Sequence, residues 1–245
     1  MRLDDYILED TKISTEEGLE DIKKNCSEYI RELRSGRNLF VRLSESYKPI
    51  DHNKILIIPP KSDRIPIDTP KDVHHVIDNL LKAKFGWKPR SEALFVWITE
   101  QKNPRWNWYS FWKEVRLIFP IDGYKYVYSS MIGDLFLKYE TFLNDYDYPI
   151  YPDSYDDNKI NNDIKDKFFE WFKNKGLPTY TKLNALRMGA TKHKRTECML
   201  KAKKYYAISS LHIPQLNDLF NLDIQPSRYK ITDLEPKHEF NMDET

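Results

Sequence analysis

Residues 63–97 read DRIPIDTPKDVHHVIDNLLKAKFGWKPRSEALFVW, a helix followed by a strand. Asp68 or Thr69 supplies a side-chain cap, and Pro70 suits the first turn, where its missing N–H costs nothing. Val73, Val76, Ile77, Leu80 and Leu81 recur at i, i+3, i+4, i+7 and i+8, which predicts one apolar stripe. Gly86 accepts the left-handed geometry that ends many helices, so the helix stops there. Beyond Pro89 the run Ala93-Leu94-Phe95-Val96-Trp97-Ile98 has too little polar alternation for a half-exposed strand. It belongs inside a sheet. Arg90 and Ser91 stand at its entrance.

Upstream, Ser14-Thr15-Glu16-Glu17 resembles a helix start, and Leu19, Ile22, Cys26, Tyr29, Ile30 and Leu33 continue as a helical stripe. Residues 34–38 break it. Leu39 to Leu43 then reads as a first strand carrying Arg42, and Ile55 to Ile58 as a second, closed by Pro59-Pro60. Downstream, NPRWNWYSFW at 103–112 is densely aromatic. It reads as a lid or core packing, with a ligand-stacking wall as the alternative. Val115–Pro120 and Tyr124–Tyr128 are two strands around the turn Asp122-Gly123.

Helices are expected near Gly133–Leu143 and over Ile164–Phe172, the second stopped by Gly176-Leu177-Pro178. Between them, 144–157 is an acidic loop. It lacks the Gly and terminal Glu of a calcium-binding loop, so it is read as solvated, and no metal is expected. Cys198–Leu200 and Tyr205–Ile208 supply the last strand material, 211–223 one short helix, and 225–245 a polar tail suited to ordering on a partner.

The composition bounds the class. With 245 residues the chain holds one large domain with additions, divided here as 1–35 helical lead-in, 36–210 main domain and 211–245 extension. The net charge of +1 does not mark a nucleic-acid binder. No stretch approaches the roughly 20 apolar residues that cross a bilayer, so no membrane contact is expected. The first residues, MRLDDYILEDTK, are too acidic for a secretion signal. Cys26 and Cys198 read as reduced thiols of a cytoplasmic protein, a disulfide being the other reading. One local bias stands out: Lys182, Arg187, Lys192, Lys194, Arg195, Lys201, Lys203 and Lys204 against the single acid Glu197. This 182–204 segment is a phosphate or nucleic-acid contact, or a solvated face balancing the acidic loop.

Three polar residues at strand positions remain: Arg42 in LFVRLSE, Ser91 in PRSEALFVW and Glu197 in RTECMLKAKKYYAI. In these the chain resembles the arginine–serine–glutamate branch of the ADP-ribosyltransferase superfamily. More narrowly, it is similar to phage and bacterial proteins carrying R-x-P-x-D-T-P, a helix with H-x-x-x-D, and F-G-x-x-x-R-S-x-A-L-F. Here those are Arg64 to Pro70, His74 with Asp78, and Phe85 to Phe95; IFPIDGYKYVYS at 118–129 shares the likeness, which covers about 39–208.

The resemblance implies an α+β fold with a split, twisted, mainly antiparallel sheet and surrounding helices. It implies NAD as substrate and ADP-ribosyl transfer to a host protein or nucleic acid. The protein would then be phage-encoded, acting in the host cytoplasm or packaged in the virion. Residue by residue, Arg42 would bind the NAD phosphate or ribose, Ser91 would brace the site beside the nicotinamide ribose, and Glu197 would be the catalytic carboxylate. Arg90, Trp106 and Trp108 would join the NAD contacts.

Two departures bear on it. Arg195 stands where arginine-modifying members carry an acid, which points away from arginine as acceptor, and Leu43 follows Arg42 where related sequences have glycine. Two other readings stay open. One is a catalytically inactive relative serving as a phage structural or host-binding protein, with contacts through 182–204 and 224–245. The other is a nucleic-acid binder working through the basic segment.

Overall fold

The computed structural model describes residues 11–45, 53–60, 62–65, 69–102, 113–129, 131–132, 135–145, 162–182 and 196–225. Strands are β1 (Thr11–Ser14), β2 (Leu39–Glu45), β3 (Lys54–Ile58), β4 (Leu94–Thr99), β5 (Lys113–Pro120), β6 (Lys125–Ser129), β7 (Tyr180–Thr181), β8 (Thr196–Lys201) and β9 (Tyr205–Ser209). Helices are α1 (Thr15–Asn25), α2 (Ser27–Arg34), α3 (Lys71–Phe85), α4 (Pro89–Glu92), α5 (Leu135–Asn144), α6 (Asn162–Trp171), α7 (Leu177–Thr179) and α8 (Ile213–Phe220). A π-helical turn, Phe172–Gly176, joins α6 to α7.

All nine strands lie in one antiparallel sheet, in the order β1-β3-β9-β5-β2-β4-β8-β6-β7. The fold is therefore α+β. Its curvature follows from connection lengths. β8 and β9 are joined by Ala202–Lys204 yet stand four strand spacings apart in this order. In a flat sheet those spacings would span about 19 Å, whereas so short a connection reaches about 14 Å. The sheet must curl. Phe40 on β2 and Tyr126 on β6 accordingly meet at 5.8 Å across the concave side. The β5–β6 and β8–β9 connections run side by side, tied by the Ile121 N–H to the Lys204 carbonyl at 3.2 Å.

Two apolar clusters hold the layers. In the larger, Ile22, Tyr29, Leu33, Leu216 and Phe220 of α1, α2 and α8 pack on Phe40, Ile118, Phe119 and Tyr206 of the sheet. Tyr29 stacks on Phe40 at 5.2 Å, and its hydroxyl accepts from the Phe40 N–H at 2.8 Å. The smaller cluster joins Val73, Ile77 and Leu81 of α3 to Tyr139, Leu143, Phe168 and Phe172, with Val127 and Met199 beneath. Lys84, at the end of α3, donates to the carbonyls of Leu177, Pro178 and Tyr180 at 2.8, 3.2 and 2.8 Å. These donations satisfy acceptors where the α6–α7 helical run ends.

Several sequence expectations change. Val115–Pro120 and Tyr124–Tyr128 do form strands around Asp122-Gly123, but they are not a hairpin: β5 pairs with β2 and β9, and β6 with β8 and β7. The final strand material is likewise two separated strands. The stripe at 19–33 is two helices broken at Cys26, and a short strand precedes them. Residues 11–35 contribute an edge strand and core helices to this same sheet. Arg90 and Ser91 occupy a helical turn rather than an extended approach.

On α3, Gly86 is the left-handed cap (φ 80°) as expected, but Pro70 takes the N-cap position without a side-chain cap bond. Val76 is 37% exposed, while His74 and Asp78 are 0% and 2% exposed. The buried stripe is rotated toward two polar residues. Cys26 and Cys198 are free and buried, and burial holds both thiols well above the usual range.

Candidate functional site

His74 and Asp78 are four residues apart on α3, hence stacked on one helix face. That face meets α4. Asp78 Oδ1 accepts from the Arg90 N–H at 2.8 Å, and Oδ2 from the Ser91 hydroxyl at 2.6 Å. Because Ser91 gives its proton to a carboxylate, its oxygen is left to accept, and His74 Nε2 donates to it at 3.2 Å. His74 is therefore the Nε2-protonated neutral tautomer. Burial, then the neighbouring Arg90, His75, Arg64 and Lys88, lowers its pKa to about 3. The Ser91 carbonyl accepts from the Arg64 N–H at 3.1 Å, which ties residues 62–65 to the same clamp.

Outward from the clamp, two guanidinium groups stand over one ring. Arg64 Cζ lies 3.9 Å from the centroid of Phe95, and Arg90 Cζ 5.7 Å. The β4–β8 register then fixes what shares that face: Phe95 is opposite Met199 and Trp97 opposite Glu197. Side chains alternate along a strand, and directly paired residues face the same side. Phe95, Trp97, Met199 and Glu197 thus form one patch with Arg64 and Arg90 above it. At its border Lys201 pairs with Glu92 and lies 5.5 Å from the Trp87 ring. Partial burial opposes ionisation of Glu92, but the Lys201 contact outweighs it and keeps the carboxyl below the usual range.

Of the three residues nominated from sequence, Ser91 and Glu197 lie around β4 on this side of the sheet. Arg42 does not. Val41 pairs with Trp97, and Trp97 with Glu197, so these three share a face. Arg42, the next residue, is on the opposite side, where it stands directly across from Arg116, itself opposite Ser209. The Ser91 hydroxyl is spent on Asp78 and His74, so Ser91 braces α4 instead of presenting a free hydroxyl. Arg90 lies over the Phe95 ring on this side. Trp106 and Trp108 lie outside the described residues, as do 183–195 of the basic segment and 226–245 of the tail.

Arg64, Phe95, His74 and Asp78 were not nominated. The signal was in hand: Arg64 opens R-x-P-x-D-T-P, and His74 and Asp78 have the i, i+4 spacing that places two polar groups together. Among the described residues, no group of three or more His, Cys, Asp or Glu is placed to hold a metal, and no helix is long and apolar enough to cross a membrane.

No family model, curated protein or solved structure matches the chain. The site is thus defined by its own geometry: two arginines over an aromatic ring, and a carboxylate on the same sheet face.

Proposed function

We propose that the protein is an NAD-dependent ADP-ribosyltransferase acting on a macromolecule, with its site on the Phe95–Trp97–Glu197 face. The observation that carries this reading is the Trp97–Glu197 pair beside the Arg64–Phe95 stack. It combines an aromatic surface, fixed cations and a carboxylate, the groups that cleavage of a nucleotide glycosidic bond uses. The bond between ribose C1′ and nicotinamide breaks with its electron pair leaving on nicotinamide. Glu197 stabilises the cationic sugar that develops. An acceptor nucleophile then bonds to C1′ and loses its proton, so NAD and acceptor become ADP-ribosyl-acceptor, nicotinamide and H+. Ser91 and Asp78 hold the scaffold, and Arg42 stands outside the site.

Release of nicotinamide from NAD by purified protein with host lysate as acceptor tests it. Turnover is expected in the wild type and is lost in Glu197→Gln, with the circular dichroism spectrum unchanged. No release from wild type ends the reading. A second reading, a binding protein that keeps the architecture without turnover, is favoured by Arg42 facing away and by the committed Ser91 hydroxyl. Equal behaviour of wild type and a triple Arg42, Ser91, Glu197 alanine variant in host-component binding, with neither releasing nicotinamide, would support it.

A further inference from the structure

Arg90 is 2% exposed. Its guanidinium makes one hydrogen bond, to Thr69 Oγ1 at 3.1 Å, and its Nε is buried without a partner. Among the described residues no carboxylate lies within ion-pair distance of it. The buried carboxylate nearby, Asp78, has both oxygens committed, one to the Arg90 main chain and one to Ser91. Asp78 thus fixes the backbone that carries Arg90, and among the described residues no carboxylate is left to counter the guanidinium. Burying a cation in this way is strongly unfavourable unless an anion neutralises it. A second cation, Arg64, is 8% exposed and stands over the same Phe95 ring. His74, four residues before Asp78, is held neutral beside them, so it adds no charge of its own.

We propose that Arg90 and Arg64, over Phe95, form a seat for a phosphate or diphosphate group. Two planar guanidinium forks suit an anion with several oxygens and more than one negative charge, which a single carboxylate would not match. The seat is argued from the unneutralised arginine. It rests on the transferase reading only in naming the anion's source as a dinucleotide, and free or nucleic-acid phosphate is separated from that source by the test.

The test is equilibrium titration of the full chain with inorganic pyrophosphate, ADP-ribose, nicotinamide riboside and a short single-stranded RNA. It is run on wild type, Arg90→Gln and Arg64→Gln. ADP-ribose and pyrophosphate are expected to bind wild type, and to bind Arg90→Gln at least tenfold more weakly. Nicotinamide riboside, which carries no phosphate, should show no Arg90 dependence.

RNA binding that survives Arg90→Gln while pyrophosphate binding to wild type is absent overturns the seat. Equal pyrophosphate affinity in wild type, Arg90→Gln and Arg64→Gln also overturns it. If Arg90→Gln does not fold, Arg64→Gln carries the comparison, and pyrophosphate should raise the wild-type melting temperature. Absence of that rise, with unchanged affinity in Arg64→Gln, counts against the seat. The two proposals fail separately. Pyrophosphate bound through Arg90 without nicotinamide release sinks the transferase and keeps the seat, whereas NAD turnover with unchanged KM in Arg90→Gln does the reverse.

Discussion

The Ser91 hydroxyl donates to Asp78 Oδ2 at 2.6 Å, with both residues buried. Removing the acceptor strands two buried donors, the Arg90 N–H and the Ser91 O–H. Asp78→Ala should therefore cost about 3 kcal/mol, and Ser91→Ala about 1–2 kcal/mol. Urea denaturation of both single variants and the double variant measures the pair, with a coupling of about 1–3 kcal/mol expected for groups sharing one network. Strict additivity would show that the clamp does not act as a unit.

Arg42 and Glu197 face opposite sides of the sheet, so their substitutions should separate cleanly. On the proposed transferase reading, Glu197→Gln removes NAD cleavage, whereas Arg42→Gln should leave the KM for NAD within about twofold, since its side chain starts from the other face of the sheet. Steady-state nicotinamide release decides it. A large KM increase in Arg42→Gln would mean that its face also receives the dinucleotide.

His74 is buried neutral, and its pKa of about 3 lies below the unfolded value near 6.5. The unfolded chain then binds a proton that the native chain refuses between those two values. Stability should fall as pH drops below about 6.5, by at most about 1.4 kcal/mol per pH unit from this residue. Asp72, whose carboxyl the Lys165 contact holds low against partial burial, and Glu92 begin to lose their contributions only as pH falls to about 5, approaching the unfolded carboxyl values near 4. Urea midpoints from pH 8 to about 5.5 isolate the histidine, and His74→Gln should flatten the slope.

Gly18 lies where α1 crosses β3. A Cβ there would stand 2.5 Å from Ile55 Cδ1 and 2.9 Å from Ile55 Cβ. The second atom is next to the backbone and cannot swing aside, so Gly18→Ala should destabilise by about 1–3 kcal/mol. The gain in helix propensity, at most about 1 kcal/mol, does not offset it. A lower thermal midpoint is the expected readout, with partial recovery when Ile55→Val is added.

Lys84 joins the end of α3 to three carbonyls at the end of the helical run before β7. Lys84→Met keeps the aliphatic stem and removes the donor. A loss of about 1 kcal/mol is expected for so exposed a group. Amide exchange at residues 177–181 should quicken more than exchange in α3, and uniform acceleration would count against a local latch.

The central strand and the principal helix were legible because their signals are local. Ala93–Ile98 lacks polar alternation, and Gly86 can take a positive φ; both features act within a few residues. The facing of Arg42 was not legible, since it depends on the register of Val41 with Trp97 and of Trp97 with Glu197. Those pairings join residues far apart in the chain, and a one-residue slip reverses the side. For the same reason β5 and β6 looked like a hairpin: a turn sequence signals a reversal, not which strands it leaves adjacent. On α3, hydrophobicity alone placed Val76 in the stripe and passed over His74 and Asp78. Their burial is made tolerable by partners on α4, which a periodicity argument does not see. Arg64 likewise reaches this face through its main-chain bond to Ser91, a contact between segments that its local motif does not announce.

β9 is among the last strands in chain order, yet it lies between β3 and β5, pairing with both. During synthesis, β3 and β5 must wait with a gap between them until residues 205–209 leave the ribosome. For that interval each offers an open ladder of amide and carbonyl groups to any passing chain. A nascent protein of this topology would depend on chaperone cover late in translation, and stalling before residue 205 should yield aggregates instead of a truncated soluble fold.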